Sequence, residues 1–283
     1  MLGICTDSGS QLPPALVDRY SIGVVPLTVT VDGDDFIEGV DLDADGFYAR
    51  FLDGATPSVQ TAAPPPGRFL GVWRQLQEAG ADEIVSIHLA ATYSATVGAA
   101  RLAASLAADD ESCGVHIPVR VVDSGTVSFS VGCCTWEAAE AAGAGATADE
   151  VAALAAAVGA TCTNVFIVGA LDLVRAGGRL VGGSGEGIAV LSALGAGIEV
   201  VARAHTVEEA CTAMADVVWA TGAGLRVGLS IADAAARPVA DALEGLLRTD
   251  TRVADLVHYR VGPSMGAHSG PGTAGAVAYP AVR

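Results

Sequence analysis

Short apolar runs alternate with helical patterns along the first half of the chain. The runs lie at Gly3–Cys5, Ile84–Leu89 and Val119–Val122 and are rich in Val, Ile and Leu. Each run is followed by hydroxyl or acidic residues. Apolar residues at helical spacing predict helices around these runs, at Pro13–Arg19, Gly67–Ala79, Ser94–Ala107, Val131–Ala142 and Thr147–Val158. This alternation is typical of a parallel sheet with helical connections. We therefore expect an N-terminal α/β domain with a Rossmann-like parallel sheet over residues 1–164.

A hairpin interrupts this alternation. The β-rich run Val24–Val31 leads into Asp32-Gly33, a pair that favours the tight turn of an antiparallel hairpin. The sequence therefore predicts a β-hairpin insertion at about residues 24–40 of the N-terminal domain.

The pattern changes after Asn164, where strands outnumber helices. Predicted strands lie at Val165–Val168, Ile198–Ala204, Arg226–Ile231, Asp255–Val261 and Ala276–Tyr279, and predicted helices at Thr206–Ala220 and Pro238–Leu247. We expect a C-terminal α/β domain of two layers with a mixed sheet over residues 165–283. The predicted fold is thus α/β with two lobes.

The charged residues exclude several classes of function. The chain has 15 basic and 32 acidic residues, a formal net charge of −17, and all its basic side chains other than histidine are arginines. Without lysine there is no Walker A phosphate loop, no Schiff base and no anchor for pyridoxal phosphate. An acidic chain also repels the phosphates of nucleic acids, so no nucleic-acid partner is expected.

Hydropathy and cysteine content indicate a soluble cytoplasmic protein. No apolar run approaches the roughly 18 residues that a membrane-spanning helix needs, and the chain opens on a strand-like segment rather than an apolar leader. The six cysteines show no CxxC pair and no zinc-like spacing with histidine. We expect neither a disulfide, a metal nor a cofactor.

Hydroxyl groups mark the predicted end of the sheet. Thr92 and Ser94 follow an apolar strand and open an alanine-rich helix, where free backbone N–H groups favour a bound anion such as a carboxylate. A helix N-cap uses the same positions, so that alternative stays open. Thr61 precedes three consecutive prolines, which fix the entry into the next helix. The Thr61 hydroxyl is then either available to a ligand or simply hydrated in a loop.

A loop near the C-terminal end carries a single histidine. The segment from Gly262 to Gly272 reads GPSMGAHSGPG, and its glycines and prolines predict that His268 is held in a defined position. The alternative is a simple turn between two strands. A second candidate is Arg179, which follows a glycine pair and could pair with an acidic partner.

A hydrolase is a further alternative. Ser94, His268 and Asp123 supply the residue types of a catalytic triad, but the chain has no GxSxG nucleophile elbow. An acyl hydrolase or transferase using Ser94 and His268 therefore remains a second hypothesis.

Several motifs, in this order along nearly the whole chain, resemble the DegV family of bacterial fatty-acid-binding proteins. They are TDSGSQLP from Thr6, VVPLTVTVDGDDFIEG from Val24, TAAPPPGRF from Thr61, SIHLAATYSATVGAA from Ser86, VVDSGTVS from Val121, LVRAGGRL from Leu173 and VGPSMGAHSGPG from Val261. The resemblance implies a non-catalytic carrier that buries a long-chain fatty acid between two lobes and needs no cofactor. It also implies that the carrier presents the carboxylate to a dihydroxyacetone-kinase-like fatty acid kinase, which makes acyl phosphate.

The resemblance also implies roles for individual residues. Thr61 and a serine of a Leu-Ser-Gly-Thr-Tyr stretch would bind the carboxylate, with His268 close by, and Arg179 and His268 would contribute to kinase docking. In this chain the serine position is Ala90, so Thr92 and Ser94 are the nearest substitutes. His268 is then expected to carry more of the head-group contact, and the short glycine-rich segment after Arg179 leaves the acyl chain length open. A degenerate member of the family that binds another lipid is the remaining alternative.

Overall fold

We describe a computed structural model of the chain, covering residues 1–176, 180–181, 185–194 and 197–282. Two compact units are distinguished. The first contains residues 1–28 and 61–160, and the second contains residues 29–60 and 161–283. The predicted domain bounds, 1–164 and 165–283, differ in where the segment 29–60 belongs, and they stay a prediction.

The first unit is built on a four-stranded parallel sheet. Its strands are β1 (Leu2–Asp7), β2 (Gly23–Val25), β6 (Glu83–His88) and β7 (Val119–Asp123), in the order β2-β1-β6-β7. All three pairings are parallel, with Thr6 opposite Ile87 and His88 opposite Asp123. Because parallel strands end at the same edge, the residues that follow β1, β6 and β7 lie along one side of the sheet.

Five helices accompany this sheet: α1 (Pro14–Tyr20), α3 (Pro66–Glu78), α4 (Thr96–Asp109), α5 (Phe129–Gly143) and α6 (Ala148–Thr161). In α3, Phe69 and Trp73 stand four residues apart, on one face, and both are fully buried with Ile84 of β6. Small residues of α4, Ala100 and Ala103, complete this cluster.

The predicted start of α6 is confirmed. Thr147 N–H and hydroxyl both donate to Glu150 Oε2 at 2.8 Å, and the Glu150 N–H donates back to Thr147 Oγ1 at 3.4 Å. This reciprocal capping box satisfies N–H groups that the first helical turn leaves free. These hydrogen bonds also lower the pKa of Glu150.

The predicted hairpin is shorter than the sequence indicated. Its strands are β3 (Thr28–Val31) and β4 (Asp34–Ile37), joined at Asp32-Gly33, both of which have positive φ. The run Gly23–Val25 belongs to the parallel sheet instead, because Pro26 lacks the N–H needed to continue a ladder. A third strand, β5 (Val59–Ala62), lies beside β3 in a three-stranded sheet.

Within its described residues, the second unit contains a mixed sheet of seven strands. They are β8 (Thr163–Ile167), β9 (Leu180–Val181), β10 (Ile188–Leu194), β11 (Gly197–Ala204), β12 (Leu225–Ile231), β13 (Val253–Arg260) and β14 (Ala274–Pro280). The order is β13-β12-β14-β8-β10-β11-β9, with parallel pairs at both ends and antiparallel pairs between them.

Two long helices pack on this sheet, α8 (Val207–Ala220) and α9 (Arg237–Arg248). The short helices of the unit are α2 (Ala44–Tyr48), α7 (Leu171–Ala176) and α10 (Pro263–Ser269), and α10 contacts the other two. In α9 the buried residues Val239, Leu243 and Leu247 recur every four positions and so form one apolar face. The α/β fold with a parallel and a mixed sheet is therefore confirmed. Within the described residues, none of the helices is long and apolar enough to cross a membrane.

Candidate functional site

The loop after β6 carries three of the predicted site residues. Residues 89–95 connect β6 to α4, and they place Ala90 inside the protein, Thr92 at the surface and Ser94 half-buried. Ser94 Oγ lies 2.8 Å from Thr96 Oγ1 and accepts the Thr96 N–H at 3.2 Å. The Ser94 hydroxyl therefore binds the N–H of the first residue of α4 from the position before the N-cap, Ala95, whereas the Thr92 side chain is exposed.

Backbone hydrogen bonds fix this loop to its neighbours. The Ala90 N–H donates to the Thr126 carbonyl at 2.9 Å, and the Ala91 N–H donates to Asp123 Oδ2 at 3.3 Å. The Ser124 N–H in turn donates to the carbonyl of His88 at 3.1 Å. Asp123 thus braces the loop from the end of β7, a positioning contact rather than the triad role considered for it.

A buried polar chain lies beneath the same loop. Asp7, at the end of β1, contacts His88 at the end of β6, and His88 contacts Ser86. Asp7 also stands before a short 3-10 turn, but its side chain makes no capping hydrogen bond there. Ser8 Oγ instead accepts the Leu27 N–H at 2.9 Å, which holds the segment after β2 against the end of β1.

Thr61 lies near the end of β5 and is half-buried. The next residue, Ala62, is exposed, whereas Pro64 is buried and α3 begins at Pro66. Arg68 in the first turn of α3 donates through Nη1 to the carbonyl of Pro26 at 3.2 Å and to the Thr28 hydroxyl at 2.9 Å. The sequence analysis did not single out Arg68, because nothing in its local pattern distinguishes it from a solvated helical arginine.

His268 lies in a helix and not in the loop that the glycines and prolines predicted. It occupies the last turn of α10, half-buried, and the helix ends at Gly270 with φ of 74°. Only glycine adopts this conformation without strain, so Gly270 fixes where the chain turns away behind the histidine.

Residues far away in the sequence hold α10 in place. The buried Glu38 accepts the Ser264 N–H at 2.9 Å, and the Tyr48 hydroxyl donates to the Val261 carbonyl at 3.0 Å. Burial, followed by the charge of Asp233, raises the pKa of Tyr48, so its phenol keeps its hydrogen. Glu38 and Tyr48 are therefore positioning residues that the sequence analysis missed, since their partners lie more than 200 positions away.

Arg179 and the glycine pair before it lie outside the described residues. In the parts of the chain that the structure does describe, no group of three or more histidine, cysteine or acidic side chains could hold a metal ion. Burial raises the pKa of the Cys5 thiol to about 12, so this cysteine is not a nucleophile at neutral pH.

Two places on the chain therefore offer polar groups suited to a carboxylate. The first unit places the Thr92 hydroxyl in an exposed loop before a helix N-terminus, with Thr61 at the end of β5. The second unit places an imidazole, that of His268, at the end of a short helix held by buried hydrogen bonds.

Known proteins match this chain along its whole length. The family model that matches is DegV, described as a family of uncharacterised proteins, and it covers residues 1–281. A DegV domain-containing protein of Streptomyces coelicolor is 35% identical over 98% of this chain and 97% of its own. A DegV domain-containing protein of Mycobacterium tuberculosis is 32% identical over 96% of this chain and 95% of its own.

Solved structures agree with this assignment. A DegV family protein from Thermus thermophilus, described for its fatty acid binding, superimposes with a TM-score of 0.84 at 26% identity and covers 99% of both chains. DegV of Bacillus subtilis, described as a fatty acid binding protein, has a TM-score of 0.83 at 22% identity over 98% of both chains, a likeness of fold. This chain belongs to the DegV family.

Proposed function

We propose that this protein is a non-catalytic cytoplasmic carrier that binds a long-chain fatty acid and presents its carboxylate to a fatty acid kinase, which forms acyl phosphate. The observation that carries the proposal is the similarity, over 99% of both chains, to the fatty-acid-binding DegV family protein of Thermus thermophilus. No cofactor takes part, and the ligand is the fatty acid itself.

The acyl chain supplies most of the affinity in this proposal. Each methylene removed from water contributes about 0.8 kcal/mol, so a chain of more than a dozen methylenes needs little help from its head group. The head group then sets specificity. Thr61, Thr92 and His268 bind the carboxylate, and Ser94 supplies a further contact. Ala90 occupies the position of the family's serine but has no hydroxyl, and its N–H already donates to the Thr126 carbonyl.

Hydroxyl donors suit this task because they bind an anion without burying a permanent charge. A hydrogen bond to an ionised group contributes about 1.5–3 kcal/mol, enough to distinguish an acid from an ester or alcohol of equal length. The exposure of Thr92 fits a head group that remains accessible to a second protein.

The hydrolase alternative gains no support from Ser94. Its Oγ contacts Thr96 Oγ1 and accepts the Thr96 N–H, so both of its contacts serve the local structure at the start of α4. The kinase step rests on the family resemblance, with Arg179 and His268 as the docking residues.

The test begins with the ligand. The purified protein is denatured and its organic extract is measured by mass spectrometry, and the delipidated protein is titrated with palmitate and oleate. We expect one acyl chain per protein and uptake of at least one added acid. An empty extract together with no uptake would refute the carrier function.

Head-group variants provide the second step. Thr61→Val and Thr92→Val keep the side-chain shape but remove the hydroxyl, and each is expected to weaken palmitate binding about tenfold or more, the effect of one charge-assisted hydrogen bond. The matched control is Thr212→Val, because Thr212 is an exposed threonine of α8 whose hydroxyl bonds only within its own helix. Equal affinities in all three variants would exclude the two threonines as carboxylate ligands.

A further inference from the structure

Asp7, His88 and Ser86 form a continuous hydrogen-bonded chain inside the first unit. Asp7 Oδ2 lies 2.9 Å from His88 Nδ1, and His88 Nε2 lies 2.7 Å from Ser86 Oγ. All three residues are 0% exposed. Buried polar groups are costly unless their partners are fixed, so such a chain restricts the positions of the strands that carry it.

Trp73 determines the direction in which hydrogen bonds are donated along Ser86, His88 and Asp7. The indole N–H of Trp73 can only donate, and it donates to Ser86 Oγ at 3.2 Å. When the Ser86 hydroxyl then donates to His88 Nε2, the hydrogen of His88 resides on Nδ1 and is donated to Asp7. Asp7 Oδ2 is then the final acceptor of the three hydrogen bonds.

Asp7 Oδ2 also accepts the N–H of Leu89 at 3.1 Å. Leu89 is the first residue of the loop that carries Ala90, Thr92 and Ser94, so the carboxylate binds the loop where it leaves β6. A methyl group added at Gly9 would lie 2.6 Å from Leu89 Cδ1 and 2.9 Å from Asp7 Oδ1, so the glycine allows the turn after β1 to pack closely against both residues.

We propose that Asp7 and His88 are positioning residues for the carboxylate of the bound fatty acid. This inference rests on the proposed function. His88 holds the Asp7 carboxylate in place, Asp7 holds the Leu89 N–H, and the loop then presents the Thr92 hydroxyl before α4 at a fixed place.

Aspartate, histidine and serine also form catalytic triads, but the hydrogen-bonded residues Asp7, His88 and Ser86 do not form a catalytic site. Ser86 Oγ is occupied by Trp73 and His88 and has no exposure to solvent, so no substrate reaches it. The direct backbone contact of Asp7 with the loop favours positioning.

Two conservative variants of His88 separate the contacts. An asparagine amide nitrogen occupies about the place of Nδ1, so His88→Asn keeps the donor to Asp7. A glutamine amide reaches the place of Nε2, so His88→Gln keeps a partner for Ser86 and loses the donor to Asp7. Asp7→Ala removes the acceptor itself, and His116→Leu, at an exposed histidine of the same unit, is the control.

The measurement compares the affinities of each delipidated protein for palmitate and for hexadecanol, which share the same acyl length but differ in the head group. In His88→Gln and Asp7→Ala we expect the ratio of acid to alcohol affinity to fall about tenfold or more, the effect of a displaced charge-assisted contact. His88→Asn is expected to stay within about threefold of the wild type, and His116→Leu to match it.

Equal losses for acid and alcohol in His88→Gln would overturn the inference, because they would show a merely structural role. An unchanged ratio in both His88→Gln and Asp7→Ala would overturn it as well. If the wild type binds neither palmitate nor hexadecanol, the proposed function itself fails. If Asp7→Ala does not fold, the asparagine and glutamine variants alone decide, since both retain a polar side chain.

Discussion

Two helical glycines of the second unit are expected to respond to alanine in opposite ways. Gly266 lies in α10, two residues before His268, and a Cβ added there would lie 2.7 Å from Tyr48 Oη and 2.8 Å from Phe47 Cε1. Gly245 lies inside α9, and a Cβ added there would meet nothing within 4 Å. The chain thus offers a crowded site and an open site in otherwise similar helical backbone.

The magnitude follows from how little Tyr48 can move. Ordinary contacts begin at 3.4 Å, so Tyr48 Oη would have to withdraw by about 0.7 Å, yet it is buried, donates to the Val261 carbonyl at 3.0 Å and packs edge-on against Phe47. Overpacking of this kind costs about 1–3 kcal/mol. The higher helix propensity of alanine stabilises the folded protein by about 0.5–1 kcal/mol relative to glycine. The free energy of unfolding of Gly266→Ala is therefore expected to be about 1–2 kcal/mol below that of the wild type.

Thermal unfolding measures this difference. For a chain of this size we expect the Tm of Gly266→Ala to fall by about 2–8 °C, and that of Gly245→Ala to rise by about 1–4 °C. Tyr48→Phe removes the closest atom of the clash at the cost of one hydrogen bond, so Gly266→Ala in that background should lose less than the sum of the two single variants. A stabilised Gly266→Ala, or strict additivity with Tyr48→Phe, would refute the reasoning.

Other predictions concern the kinase partner and acid stability. Arg179→Ala is expected to leave fatty acid retention intact and to lower acyl phosphate formation by a dihydroxyacetone-kinase-like fatty acid kinase. His268→Ala is expected to lower phosphorylation more than retention. Equal losses of retention and phosphorylation would contradict this division. Hydrogen bonds from Arg252 lower the pKa of Asp250 to about 2 from 3.8, so its contribution to stability is present above pH 3.8 and is lost as the pH falls toward 2. In thermal melts, the deficit of Asp250→Asn relative to the wild type should therefore shrink across that window, and a constant deficit would contradict the assigned ion pair.

Elements with a strong local pattern could be predicted from the sequence. The apolar stripe of α9 predicted a helix from Pro238 to Leu247, and the structure has Arg237–Arg248. The Thr147 and Glu150 capping pair predicted where α6 begins, because such a cap involves residues only three positions apart. Parallel strands followed by hydroxyl and acidic residues predicted which edge of the sheet carries the polar loops.

Contacts between residues distant in the sequence determined the structural features that local patterns did not predict. Glycine and proline predicted a loop at residues 262–272, but hydrogen bonds with Glu38 and Tyr48 help to hold a helix there. The contact between Asp7 and His88 joins positions 81 residues apart, and no local motif around either residue predicts it. Local patterns therefore predicted the elements, whereas the residues that position the candidate site depended on tertiary pairing.

The division of the chain into units has a consequence for how the protein is made. The backbone passes from one unit to the other after residues 28, 60 and 160, so neither unit is a continuous stretch of sequence. As the chain leaves the ribosome, residues 29–60 emerge long before residues 161–283, with which they form their unit. Glu38 and Tyr48 must therefore wait for Ser264 and Val261 before their hydrogen bonds can form, and a protein truncated before residue 261 would leave both side chains without these partners.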